Sequence, residues 1–148
     1  MKAAYVARAV MMISVALFAL LTAGCGKVRQ AALHQKQTND LKHLGLMYQN
    51  YLDSNGGKAP ANADELMKMA QSDPQAAQVV QAAKSGQYVI LWGSTMEAMR
   101  KTPPGTSGTI LGYEKDVPTA GGSVLMGDTS VKNMTAAEFK SAPKAGGK

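Results

Sequence analysis

The sequence predicts an α+β domain, with helices in its first half and a small antiparallel sheet of three to four strands in its second. Three observations carry that expectation. Apolar residues recur at helical spacing between Leu33 and Leu52, β-rich runs separated by Gly- and Pro-containing turns begin at Gln87, and two capping-box spacings mark helix starts. The 148-residue chain has one cysteine, Cys25, so no disulfide can hold it and apolar burial must carry its stability.

The N-terminus is of another kind. Lys2 and Arg8 form a short positive region, Ala9 to Leu21 is an uncharged apolar run, and Leu21-Thr22-Ala23-Gly24-Cys25 follows. This is the three-part secretory pattern, and the run is shorter than the about 20 residues of a membrane span. Ala23-Gly24-Cys25 resembles the lipobox of bacterial lipoproteins, although Thr22 stands where leucine is commonest. Residues 1–24 are therefore expected to be a lipoprotein signal peptide, with Cys25 acylated as the mature N-terminus. Gly26 after it resembles the outer-membrane sorting pattern of enteric bacteria, so the expected location is the cell envelope, on the outer rather than the inner membrane. Residues 25–38, rich in Lys, Arg and Gln, read as a lipid-anchored tether or the frayed start of a helix.

The globular part is expected over residues 39–140. Leu33, Leu41, Leu44, Tyr48 and Tyr51, with Met47 and Leu52 beside them, form one apolar stripe on a long helix. Asn55-Gly56-Gly57 supplies its left-handed stop and Pro60 prevents continuation. Asn62 with Glu65 opens a second helix, and Pro74 after Asp73 a third that ends at Gly86. Gln87–Gly93, Thr109–Glu114, Ser123–Met126 and Ser130–Met134 read as strands, the last two joined through Asp128-Thr129. Lys101–Gly108 and Val117–Gly122 read as turns. Thr135 with Glu138 opens a short C-terminal helix that ends before Pro143, and residues 141–148 are expected to be a disordered tail.

Asn39-Asp40-Leu41-Lys42-His43-Leu44-Gly45-Leu46-Met47-Tyr48-Gln49-Asn50-Tyr51 resembles the N-terminal helix of the pseudopilin-like proteins of planctomycete-type bacteria that carry the DUF1559 label. Gly122 to Lys132 is similar to that family's closing hairpin, and the two stretches stand in the family's order. The resemblance implies a pilin-like fold, one long helix and short helices on a small antiparallel sheet, and a link to type II secretion or a related envelope assembly. Three departures accompany it. Thr129 replaces the glycine of the family's Asp-Gly turn, so ready access to positive φ is lost; Pro118 stands where many members have histidine; and a lipobox replaces the prepilin leader and membrane-spanning helix. Cleavage before Cys25 removes the only long apolar run, which argues against a pilus subunit.

Candidate chemistry is sparse. His34 and His43 are nine residues apart and project to nearly opposite faces of a helix, so they cannot share a metal ion. Glu114 and Asp116 share a strand face in extended backbone, and with Asp128 they could offer oxygens to calcium, but a solvated strand end explains them as well. Met96 with Met99, and Met67 with Met69, could offer thioethers to Cu(I). Methionine is also the adaptable filler of a core that has six aromatic residues beyond Cys25. No serine has the frame of a hydrolase nucleophile, Gly105–Gly108 and Gly121-Gly122 lack the lysine and helix of a phosphate loop, and Trp92 suits a core position better than a ligand anchor.

Sixteen Lys and Arg against ten acids fall to a net charge of about +4 without Lys2 and Arg8, and the lysines are scattered. No basic stripe with interleaved aromatics suits nucleic acid, so no nucleic-acid partner is expected. The expected function is that of a non-enzymatic, lipid-anchored envelope protein with an interaction domain, a membrane contact through the lipid, an envelope protein as partner and no cofactor. The alternative is an exported ligand- or metal-binding lipoprotein.

Overall fold

The computed structural model describes residues 24–146, with side chains from Val28 onward. Most of the expected signal peptide, and the last two residues of the expected tail, lie outside that range. The chain divides after Gln35 into two units. Helix α1, Gly24–Ser54, begins in the first and ends in the second, so residues 25–38 take the helical alternative of their sequence reading. From Val28 to Gln35 every side chain is exposed, Leu33 among them at 54%. Leu33 is therefore no part of the buried stripe. Seven residues, all polar, separate it from Leu41 and interrupt the apolar line.

The second unit, from Lys36, holds the fold. The stripe is buried at Leu41, Leu44, Met47, Tyr48 and Leu52, while Tyr51 is half-buried. α1 stops as expected. Gly56 and Gly57 take positive φ, and the Gly57 N–H reaches back to the Leu52 carbonyl. Helix α2, Ala63–Met69, starts at Asn62, whose side chain accepts from the Asp64 and Glu65 N–H groups. Glu65 does not close a reciprocal box on Asn62. It accepts instead from the Ala61 N–H and the Tyr51 hydroxyl, tying α2 to α1. A 3₁₀ turn, Ala70–Ser72, leads to helix α3, Pro74–Lys84, capped by Asp73 with proline in the first turn.

Strands β1 (Tyr88–Ile90), β2 (Ile110–Glu114), β3 (Gly122–Met126) and β4 (Val131–Met134) form one antiparallel sheet in sequence order. Between β1 and β2 lies helix α4, Met96–Lys101, which stands where no element was expected and is capped by the Thr95 hydroxyl. Helix α5, Val117–Ala120, replaces the expected turn, and helix α6, Ala136–Ser141, closes with both bonds of the Thr135–Glu138 capping box. Alternation along the strands sorts the core into two layers. Leu111, Leu125, Tyr88 and Ile90 join the residues of α1 to α4, and Ile110, Val124 and Met126 join Val117 of α5 and Phe139 of α6.

Two glycines permit this arrangement. A Cβ on Gly45 of α1 would lie 2.7 Å from Leu125 Cδ1, so with glycine there the helix comes down onto β3 without displacing the Leu125 side chain. Gly112 stands beside the register shift of β2 against β3, and a Cβ there would meet Ile90 Cδ1 at 2.6 Å. The architecture is thus the α+β one expected from the sequence, one long helix and short helices on a four-stranded antiparallel sheet.

At two places the structure adds to the sequence reading. The β3–β4 turn takes a positive φ without the glycine that gives ready access to it, with Thr129 at φ 67°. The Thr129 N–H donates to the Met126 carbonyl, Met126 N–H to Ser130, and the Asp128 carboxylate accepts from both the N–H and the hydroxyl of Ser130, so side-chain bonds hold a conformation that glycine would take freely. The described part of the expected disordered tail is likewise ordered: Ile110 N–H donates to the Pro143 carbonyl, and Ala145 N–H to the Ile110 carbonyl. The backbone beyond α6 is satisfied by the end of β2 that β1 does not reach.

Replacing Leu44 by Ala should cost about 2 to 5 kcal/mol, while Lys42→Ala on the exposed side of α1 should change stability by about 0.5 kcal/mol or less. Equal shifts of the denaturant midpoint would contradict the orientation of this helix. At the hairpin, Thr129→Gly should be about 1 kcal/mol more stable than Thr129→Ala, because both lose the threonine contacts and only glycine escapes the left-handed penalty. Equal midpoints for these two variants would remove the strain from the argument.

Candidate functional site

The most developed polar feature lies where α1 crosses the edge of the sheet. Asp40 falls on the buried side of α1, 8% exposed, one residue before the first leucine of the stripe. A carboxylate so placed needs donors. Tyr88, at the start of β1 and 1% exposed, donates its hydroxyl to Asp40 Oδ2 at 2.8 Å, and the Lys36 ammonium, one helical turn earlier, reaches the same oxygen at 2.5 Å. Gln87 approaches the Tyr88 hydroxyl at 3.4 Å, and nearby the hydroxyls of Thr38 on α1 and Ser123 on β3 lie 3.5 Å apart.

Glu114 stands opposite Tyr88 in the β1–β2 register. Its carboxylate folds over Gly122, where a Cβ would come within 2.8 Å of Oε2, and its other oxygen, Oε1, is buried without a partner. Burial first, then the Asp40 bond and the charges of Asp40 and Glu114, push the Tyr88 hydroxyl well above the ordinary tyrosine range. A second tyrosine behaves alike. Tyr48 donates to the Ser94 carbonyl and accepts from the Ser94 N–H, both at 3.0 Å, and burial pushes it up to about 12 against the opposing pull of the backbone bond. Both hydroxyls therefore stay protonated, as donors suited to fixing structure and poor as bases near neutral pH.

Beside Asp40 a groove of about 370 Å³ opens between α1 and α3, lined by Lys36, Asn39, Asp40, Gln75, Gln78 and Val79. Its wall combines three side-chain amides, one ammonium and one carboxylate, a set that hydrogen-bonds neutral polar groups rather than taking up an apolar ligand. A second depression, of about 500 Å³, runs between the end of α1 and α4, past Asp53, Gly57, Met96 and Arg100.

The residues singled out in the sequence do not converge. His34 is exposed on α1 and His43 is half-buried further along it. Asp116 precedes α5 and does not continue the strand with Glu114, which ends β2, so their expected common face is absent; Asp128 serves the hairpin turn. Among the described residues no three His, Cys, Asp or Glu side chains come together to hold a metal ion. Met99 is 1% exposed and its sulfur fills the space over Gly127, Met96 and Met67 lean on the core, and Met69 is 40% exposed. Trp92 is half-buried and stacks on Tyr48 with ring centres 6.2 Å apart. The thiol of Cys25 lies outside the described side chains. Sequence reading missed the Asp40 cluster. Lys36 and Asp40 have the spacing of a helical ion pair, but nothing local announces a tyrosine 48 residues away.

No family model, curated protein or solved structure matches the chain.

The tyrosines give a pH dependence. A raised folded-state pKa means that the native protein keeps protons which the unfolded chain loses above the ordinary tyrosine pKa of about 10, so stability is complete below that pH and falls as pH rises through it. The urea midpoint should therefore be flat toward alkaline pH and then drop, and Tyr88→Phe, which has no proton to lose, should start lower and drop less steeply. Parallel curves for the two proteins would show that Tyr88 plays no part in the alkaline transition.

Proposed function

We propose that this protein is a lipid-anchored component of a bacterial cell envelope whose α+β unit binds another envelope protein and catalyses no reaction. The observation that carries the reading is the sequence from Lys2 to Cys25, in which a positive start and a short apolar run lead to Ala23-Gly24-Cys25. Only the thiol of that cysteine can form a thioether to diacylglycerol, and two or more acyl chains hold a protein far more firmly than one. Among the described residues no helix is long and apolar enough to cross a membrane, which is compatible with attachment through lipid. The resemblance of the long helix and the closing hairpin to pseudopilin-like proteins supports a partner in a secretion or envelope assembly. Display from the membrane surface, beside such a system and outside its fibre, is the role that fits the loss of the apolar run.

A second reading, an exported ligand-binding lipoprotein, draws on the groove beside Asp40 and its amide-rich wall. Equilibrium dialysis of the purified domain against glycans and metal ions separates the two, since the interaction module should retain neither.

Radiolabelled palmitate should enter the wild-type protein, and intact mass should place the acyl groups on a chain that begins at Cys25. Cys25→Ser should abolish the label and move the protein from the membrane to the soluble fraction with an unchanged circular-dichroism spectrum. A wild-type mature protein with a free thiol at Cys25 would overturn the anchor.

A further inference from the structure

We propose that Pro143–Gly146 is a detachable strap, and that the edge of β2 beneath it accepts an extended segment of another chain once the strap lifts. The second half of the proposal rests on the interaction-module reading; the first stands without it.

β1 pairs with β2 only from Gly112 to Glu114, and Leu91 N–H adds one bond to the Leu111 carbonyl. Beyond that point the N–H and C=O of Ile110 face the same edge with no strand of the sheet to meet them, and the chain's own end fills the gap. Pro143 and Ala145 take one bond each, at 2.9 and 2.8 Å, in a parallel bridge of Ile110 with Lys144. This is one isolated bridge, and its backbone bonds are of the kind used in strand addition, in which backbone bonds supply the hold and side-chain fit supplies the choice.

The hold on the strap is slight. Apart from the two backbone bonds it consists of the Lys144 ammonium, which donates to the Phe139 and Ala142 carbonyls at the end of α6 and lies 4.5 Å above the centre of the Phe139 ring, and of the small buried surface of Ala145. Against it stands Ser94. This residue is 4% exposed, its hydroxyl has no partner, and a Cβ on Gly146 would come within 3.3 Å of that oxygen. A closed strap thus lies over a polar group that water would satisfy, so its opening returns part of what it loses. The present occupant defines the acceptable one. It is extended and parallel to β2, small where Ala145 sits, and carries a lysine one residue earlier to reach the α6 carbonyls.

Amide hydrogen exchange on the full chain, together with binding of a labelled peptide copying residues 141–146, tests both halves. The Ala145 amide should exchange through an opening far smaller than global unfolding, well before that of Leu125 at the centre of β3. Ser94→Ala, which removes the unpartnered hydroxyl, should slow it about tenfold, and Lys144→Ala should speed it about tenfold. Because apparent affinity scales with the open fraction, the peptide should bind Lys144→Ala more tightly than wild type by the factor by which exchange accelerates. An Ala145 amide that exchanges only with global unfolding overturns the strap. Peptide binding that is absent, or equal in wild type and Lys144→Ala, overturns the acceptor edge. Neither result bears on lipidation, so failure here and failure of the envelope reading remain separate.

Discussion

The close approach of α1 to β3 is the constraint on which the rest of the second unit depends. It is made possible by a missing atom. Glycine inside a helix costs about 1 kcal/mol relative to alanine, yet at Gly45 a Cβ would meet Leu125 Cδ1 at 2.7 Å, so that side chain would have to move or the helix lift. Lifting the helix to make room would draw Leu41, Leu44 and Tyr48 away from Tyr88, Ile90 and Leu125 together, because one rigid rod carries all three. The local penalty at Gly45 is small beside the transfer free energy of that stripe, at roughly 1.5 to 3 kcal/mol for each large side chain fully buried.

Apolar contact fixes how near the helix lies but leaves it free to slide or turn, since leucine packs almost as well one step along. Directional bonds remove that freedom. Tyr88 reaches Asp40 near one end of the buried stripe and Tyr48 reaches Ser94 further along it, so two hydroxyls set the register of α1 against the sheet and the loop before α4. Each bond spans more than forty residues of sequence and forms in a buried setting, where an unmet partner would be costly. The same placement opens the amide-lined groove beside Asp40, so the polar cluster in its wall also aligns the fold.

Local signals were the legible ones. The stripe from Leu41 to Leu52, the glycine stop of α1, the caps of α2, α3 and α6 and the four strands all follow from spacing within a few residues. What escaped depends on distant partners. Leu33 has the character of a core residue, but nothing covers it among the described contacts of its own unit. Lys144 and Ala145 look like tail residues until the vacant edge at Ile110 is known. Thr129 argues against a left-handed turn on intrinsic preference, and the Asp128–Ser130 bonds overrule it. α4 is short, and its Met96–Met99 pair drew attention to metal chemistry when Thr95 before it was the better clue. The candidate site was the least legible part, for Asp40 and Tyr88 meet only through the complete fold.

The graded burial of the methionines has a chemical consequence. Oxidation turns a flexible apolar thioether into a polar sulfoxide and proceeds fastest where oxidant can reach the sulfur. Met126 and Met99 lie wholly within the core, whereas Met69, at the end of α2, presents much of its side chain to solvent. Among the methionines of the described residues, an attacking peroxide therefore meets Met69 first, at a place where the added oxygen can remain hydrated and no layer of the core must open. In a chain without a disulfide, that ordering lets the surface absorb chemical damage while the contacts under α1 stay intact.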